Sequence, residues 1–173
     1  AGNRQEDGAN VTKLAKPMAN RLMHISIEPD WQDVRTYWIT QQGSDREVMP
    51  EIISFLDFRP DLIYTMNANN DDMAFATPRS WCMCSDLLKV HTKGREIAAT
   101  DYFSLVSDIG KATIGAVATE LVSYIRYYVK INPKDIIING NLPEFAAGDA
   151  SMKYAAIGAV SYFMTNVLDA RGT

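Results

Sequence analysis

Thr77-Pro78-Arg79-Ser80-Trp81-Cys82-Met83-Cys84-Ser85-Asp86-Leu87-Leu88-Lys89-Val90-His91 opens with a helix-start signal and continues with a helical stripe. Thr77 offers an N-cap hydroxyl, and Pro78 has no N–H to lose at the first helical position. Trp81, Cys84, Leu88 and His91 recur at three- and four-residue spacing, so they share a face that is expected to be buried. Arg79 then falls in the first turn, where the helix already presents partial positive charge. A guanidinium there is unfavourable unless an anion is near, and with an anion the two together make a phosphate site. The competing reading is a surface Arg79 paired with Asp71 or Asp72 of the preceding polar loop.

Outward from this segment the pattern stays helical. Asp30 reads as a cap before Trp31, Val34, Trp38 and Ile39, and Gly43-Ser44 ends that helix. Val48, Ile52, Phe55 and Leu56 mark a second helix, and Pro60 opens a short third one that ends near Tyr64. Residues 66–74 are a polar loop. Lys93-Gly94 marks a boundary. Beyond it, residues 101–109 read as a helix, and Val117, Leu121, Tyr124, Ile125 and Tyr128 mark a longer one. Asn132-Pro133 breaks it. Residues 140–149 read as loop. Ser151 caps a last helix with Met152, Ala156, Ala159, Phe163 and Val167 along one side. Ala155, Ala156, Gly158 and Ala159 are small enough for close helix packing.

Before Asp30 the signal changes. Leu14, Met18 and Leu22 have helical spacing with Pro17 near the first turn. Leu22-Met23-His24-Ile25-Ser26-Ile27 then alternates apolar and polar, which predicts a strand closed by Pro29. One strand and one short helix cannot make a sheet domain, so this segment calls for further chain before it or another molecule beside it.

The 173 residues suffice for one medium domain or two small ones, and 47 % hydrophobic residues can supply a packed core. A net charge of -4 argues against a broad nucleic-acid-binding face. The two cysteines, Cys82 and Cys84, make no disulfide framework and fit a reducing, cytoplasmic setting. They also make a zinc site improbable, since no further cysteine accompanies them. The most apolar segments are interrupted by Glu120, Arg126, Lys153 and Asn166, so no membrane span is expected. The N-terminal residues have no apolar run of the signal-peptide kind, and a motif that begins at residue one suggests a trimmed chain.

Two further polar residues stand out. Arg21 follows Asn20 where the helix gives way to the predicted strand. Alone it reads as a solvated charge, but an Arg at such an edge can also reach across a subunit boundary to a phosphate. Asn3 follows Ala1-Gly2. Its amide can orient a water molecule, while the default for Asn after Gly is a turn that bonds its own backbone. His24 and His91 read as packing or surface residues. Tyr124, Tyr127 and Tyr128 read as core and rim rather than as a base-stacking platform.

Together the segments Gly2-Asn3-Arg4, Ala19-Asn20-Arg21-Leu22 and Thr77-Pro78-Arg79-Ser80-Trp81 resemble the C-terminal part of a MoxR-type AAA+ ATPase. Residues 48–56, Phe58-Arg59-Pro60 and Ala74-Phe75 add to the likeness. It is dense over residues 1–92, weaker over 115–128 and nearly absent after 140. The resemblance implies a mainly α fold. Residues 1–29 would be a short α/β remnant of the nucleotide-binding core, residues 30–93 the helical lid, and residues 94–173 a helical C-terminal extension. It implies that Asn3 is sensor 1, polarising the attacking water. Arg21 would be the arginine finger, aimed at a neighbouring subunit's nucleotide, and Arg79 would be sensor 2, contacting the γ-phosphate from the lid. Leu22 stands where Phe is usual.

The family's Walker A and Walker B motifs precede sensor 1, and no Gly-x-x-x-x-Gly-Lys-[Ser/Thr] occurs in these residues. ATP and Mg2+ are therefore expected as cofactors of a longer parent, with none bound by this fragment and no hydrolysis by it alone. The resemblance implies a chaperone-like remodeller assembled as a ring of copies, of hexamer type. A von Willebrand factor A-type protein is its implied partner, with neither nucleic acid nor membrane among the partners. The rival reading is a self-contained helical adaptor that binds another protein without catalysis.

Overall fold

The computed structural model describes residues 15–67, 72–140 and 150–171, with side chains through residue 165. Every regular element among them is helical: α1 (Lys16–Ala19), α2 (Trp31–Thr40), α3 (Pro50–Phe58), α4 (Pro78–Thr92), α5 (Ala99–Ile114), α6 (Ala118–Tyr128), α7 (Pro133–Asn139) and α8 (Ala150–Arg171). Short 3-10 turns cover Pro60–Ile63 and Gly115–Val117. The mainly α expectation holds for these residues.

The helix starts follow local chemistry. The Asp30 carboxylate accepts from the N–H groups of Gln32 and Asp33, as an N-cap should. Pro50 and Pro78 sit in the first turns of α3 and α4, where a missing N–H costs nothing. Asn132-Pro133, read above as a break, is also a beginning. The Asn132 side chain accepts from Asp135 N–H and caps α7, which ends at Gly140 in the left-handed region.

The core is continuous from α2 to α8. Ile52, Ile53, Ser54, Phe55 and Leu56 are all buried, so α3 is enclosed on nearly every side. Phe55 packs against Trp81 of α4 with ring centres 5.8 Å apart, and against Tyr124 of α6 at 5.4 Å in an edge-on arrangement. The segments read as lid (30–93) and extension (94–173) thus share one hydrophobic cluster, running from Trp31 to Ala155.

Two glycines set close approaches. A Cβ on Gly158 of α8 would stand 1.8 Å from Ser54 Oγ and 2.6 Å from Ser54 Cβ, so α8 crosses α3 at a point where no side chain fits. Ser54 Oγ and the Tyr124 hydroxyl share a 2.7 Å hydrogen bond beneath that crossing, and Tyr124 also donates to Ser54 O. Gly115, with φ +66°, turns α5 into α6, and a Cβ there would stand 2.2 Å from Ala74 O. The α5–α6 turn is thereby seated on the loop that leads into α4.

Three expectations need correction. Residues 22–27 form no strand; the segment after α1 has no regular structure. Met23, Ile25 and Ile27 are 86, 73 and 90 % exposed. Alternation is a local property, whereas a strand needs a neighbouring backbone to take its N–H and C=O groups, and no described residue supplies one. His24, placed in that strand, instead bonds Ala19 O through its ring at 2.9 Å. His91 is exposed rather than part of the α4 stripe, because the last turn of α4 overhangs the core that buries Trp81, Cys84 and Leu88.

Glu51 supplies a test of the interior. It stands in the first turn of α3, where a carboxylate is favoured by the dipole, yet burial outweighs this and raises its pKa above the ordinary 4.5. Its own backbone N–H and the Tyr102 hydroxyl, 3.4 Å from Oε1, offset this only in part. Oε2 is buried and has no hydrogen-bond partner among the described residues. Burial and the neighbouring Glu51 charge in turn push the Tyr102 and Tyr128 hydroxyls up. A raised native pKa stabilises the fold most below the unfolded value, and that stability is lost as pH rises through the native one. Glu51→Gln should therefore match the parent in acid and gain on it steadily as pH climbs above about 4.5, levelling once Glu51 ionises in the native state. Urea unfolding at several pH values measures the gap; a gap that does not change with pH would refute the assignment.

Candidate functional site

The three residues singled out in the sequence occupy different surroundings. Asn3 lies outside the described residues. Arg21 follows α1, and its N–H bonds Met18 O at 3.0 Å, which continues the turn beyond Asn20. Its side chain is exposed and has no ion pair among the described residues. The recorded hydrogen bonds of residues 15–29 stay within that segment.

Arg79 is set by a tightly built helix start. Thr77 Oγ1 accepts from Ser80 N–H, and Ser80 Oγ accepts from Thr77 N–H and donates to Phe75 O at 2.9 Å. This is a capping box. The Trp81 N–H closes the first helical bond on Thr77 O, and its indole Nε1 donates to Leu62 O at 3.1 Å. Ser80 and Trp81 are buried, so Arg79, rotated off that face, points outward. Of the backbone donors in this first turn, Pro78 has none, Ser80 and Trp81 are occupied, and the N–H of Arg79 is left over.

The first turns of the helices differ in charge. The first turns of α2, α3, α5, α6 and α7 hold Asp33, Glu51, Asp101, Glu120 and Asp135, as the macrodipole favours. The first turns of α1, α4 and α8 have no acid, and in α4 Arg79 stands there. It makes no ion pair or side-chain hydrogen bond among the described residues, so the pairing with Asp72 is not formed; Asp71 lies outside them. One free N–H and one free guanidinium at a helix N-terminus can take an anion's oxygens together.

No bond joins Arg21 to Arg79 among the described residues. Several other polar groups are engaged structurally. Asp57 accepts from Trp31 Nε1 at 3.0 Å and from Arg35 Nε at 2.7 Å, and Arg59 bridges Asp61 and Glu120. Burial raises the thiol pKa values of Cys82 and Cys84, which disfavours the reactive thiolate form. Among the described residues no set of three His, Cys, Asp or Glu could hold a metal ion, and no helix is long and apolar enough to cross a membrane. No family model, curated protein or solved structure matches the chain.

Proposed function

We propose that this chain is the lid-bearing C-terminal part of a MoxR-like AAA+ ATPase that couples ATP binding and hydrolysis to protein remodelling. The observation that carries the reading is the start of α4. Its capping box and first helical bond occupy the other first-turn donors, and Arg79 is left exposed and without a counter-charge where α2, α3, α5, α6 and α7 place acids. In this reading Arg79 meets the γ-phosphate from the lid, Arg21 reaches the nucleotide of the adjacent copy, and Asn3 orients the attacking water. ATP supplies the scissile phosphoanhydride. In this reading the phosphate loop and the ligands of Mg2+ are supplied by the parent outside the described residues. The parent works in the cytoplasm as a ring of copies, with a von Willebrand factor A-type protein as its proposed partner.

Reading the coding sequence upstream of Ala1 tests the premise, because it should encode a Gly-x-x-x-x-Gly-Lys-[Ser/Thr] loop. A native start near Ala1 would favour the adaptor instead. In the parent, Arg79→Ala should lower ATP turnover by roughly 10- to 100-fold, the worth of one charge-assisted contact made to the transferring phosphate. Since Arg79 is exposed, its loss should leave the melting temperature of the helical body unmoved. Turnover at the parental rate would remove Arg79 from the site.

A further inference from the structure

The α5–α6 hairpin encloses a groove of about 610 Å3 that nothing above explains. Ser107 and Lys111 line it from α5; Thr119, Arg126, Tyr127 and Lys130 line it from α6 and the turn beyond. The lining has three cations and no carboxylate, in a chain whose net charge is -4. Lys111, Arg126 and Lys130 form no ion pair among the described residues, and Glu120, the acid of α6, is drawn off by Arg59. Arg126 lies over the Phe103 ring at 5.2 Å, and its N–H groups make no hydrogen bond among the described residues. The hydroxyls of Ser107, Thr119 and Tyr127 have no hydrogen bond among the described residues. That of Ser123 is turned into its own helix, donating to Thr119 O at 3.0 Å.

We propose that this groove binds an oligophosphate: a ligand presenting two or more linked phosphoryl groups, free or as the tail of a nucleotide. Three features choose that chemistry. Thr119 to Lys130 spans about 16 Å of helix, too long for one small anion and long enough for a chain of them. Ammonium, guanidinium and hydroxyl donors alternate along it, and together they suit tetrahedral groups with several acceptor oxygens. Val122 is the only aliphatic side chain in the lining, which leaves little to hold an apolar ligand or an amphipathic helix. The concave, uncompensated charge also draws anions in from solution. The inference does not depend on the role given to Arg79.

Titrating sodium tripolyphosphate into the 173-residue chain at low ionic strength tests it, read by amide shifts of α5 and α6 and by calorimetry. Saturable one-to-one binding is expected, weakening as salt is added. The double variant Lys111→Glu with Lys130→Glu should lose at least about tenfold in affinity. Lys93→Glu with Lys153→Glu makes the same change in net charge on exposed lysines outside the groove, and should lose less than about twofold. Both pairs lie on the surface, and circular dichroism melts establish that each variant folds. Arg79→Ala should bind as the parent does, which separates this groove from the α4 site. Equal affinity for ATP and tripolyphosphate would identify the phosphate chain itself as the recognised group. Tighter binding of ATP, lost in the same double variant, would identify a nucleotide as its source. The proposal is overturned by absence of saturable binding, by equal loss in the two double variants, or by an oligoglutamate of equal charge binding as tightly.

Discussion

Trp81→Ala should lower the unfolding free energy by about 3–5 kcal/mol, as deletion of a fully enclosed indole does. Trp81 is 0 % exposed and packs against Phe55, the ring that also meets Tyr124. Its loss empties the junction of α3, α4 and α6. It also leaves Leu62 O without the indole N–H, an added cost for a carbonyl in a buried setting. Trp81→Phe separates the two contributions: it keeps most of the ring contact, loses the donor, and should cost noticeably less. Denaturant unfolding followed by circular dichroism gives both numbers. A loss below about 1 kcal/mol for the alanine variant would mean that α4 is not anchored as described.

Under the proposed reading, Arg21→Ala should reduce ATP turnover of the assembled parent by roughly a thousandfold, the scale of an arginine finger supplied in trans. The guanidinium is exposed and unpaired among the described residues, so its removal disturbs no internal contact. Stability should therefore hold while catalysis falls. Mixing gives the decisive readout. An Arg21→Ala subunit keeps its own nucleotide site, and a subunit lacking the phosphate-loop lysine keeps its Arg21. A ring containing both should recover activity at the interfaces where an intact site faces an intact Arg21. A thousandfold loss with no recovery on mixing would mean that Arg21 acts within its own subunit. No loss at all would remove it from the mechanism.

What could be read from the chain was what is local. Asp30 and Thr77-Pro78 announce helix starts through groups a few residues apart, and both are as expected. Asn132-Pro133 sends the same signal, but as a dipeptide it reads equally as the stop of the preceding helix, so the start of α7 is hidden in it. The alternation at residues 22–27 misled because strand formation depends on a partner that a single segment does not specify. Ala155, Ala156, Gly158 and Ala159 announced a close helix contact, but not that Ser54, a hundred residues away, lies beneath it. The outward position of Arg79 was legible from its place before buried Trp81. The groove was not, since Lys111 and Lys130 come to line one groove only when Gly115 folds α5 back along α6.

All three tryptophans of the chain, Trp31, Trp38 and Trp81, are at most 5 % exposed, and all lie between α2 and α4. Intrinsic fluorescence is thus a built-in gauge of one part of the molecule. The indoles emit from a dry, shielded environment while the helical body is intact and shift to longer wavelength when water reaches them. Residues 1–29 contain no tryptophan, so that segment contributes no emission of its own and registers only where it alters the surroundings of these three indoles.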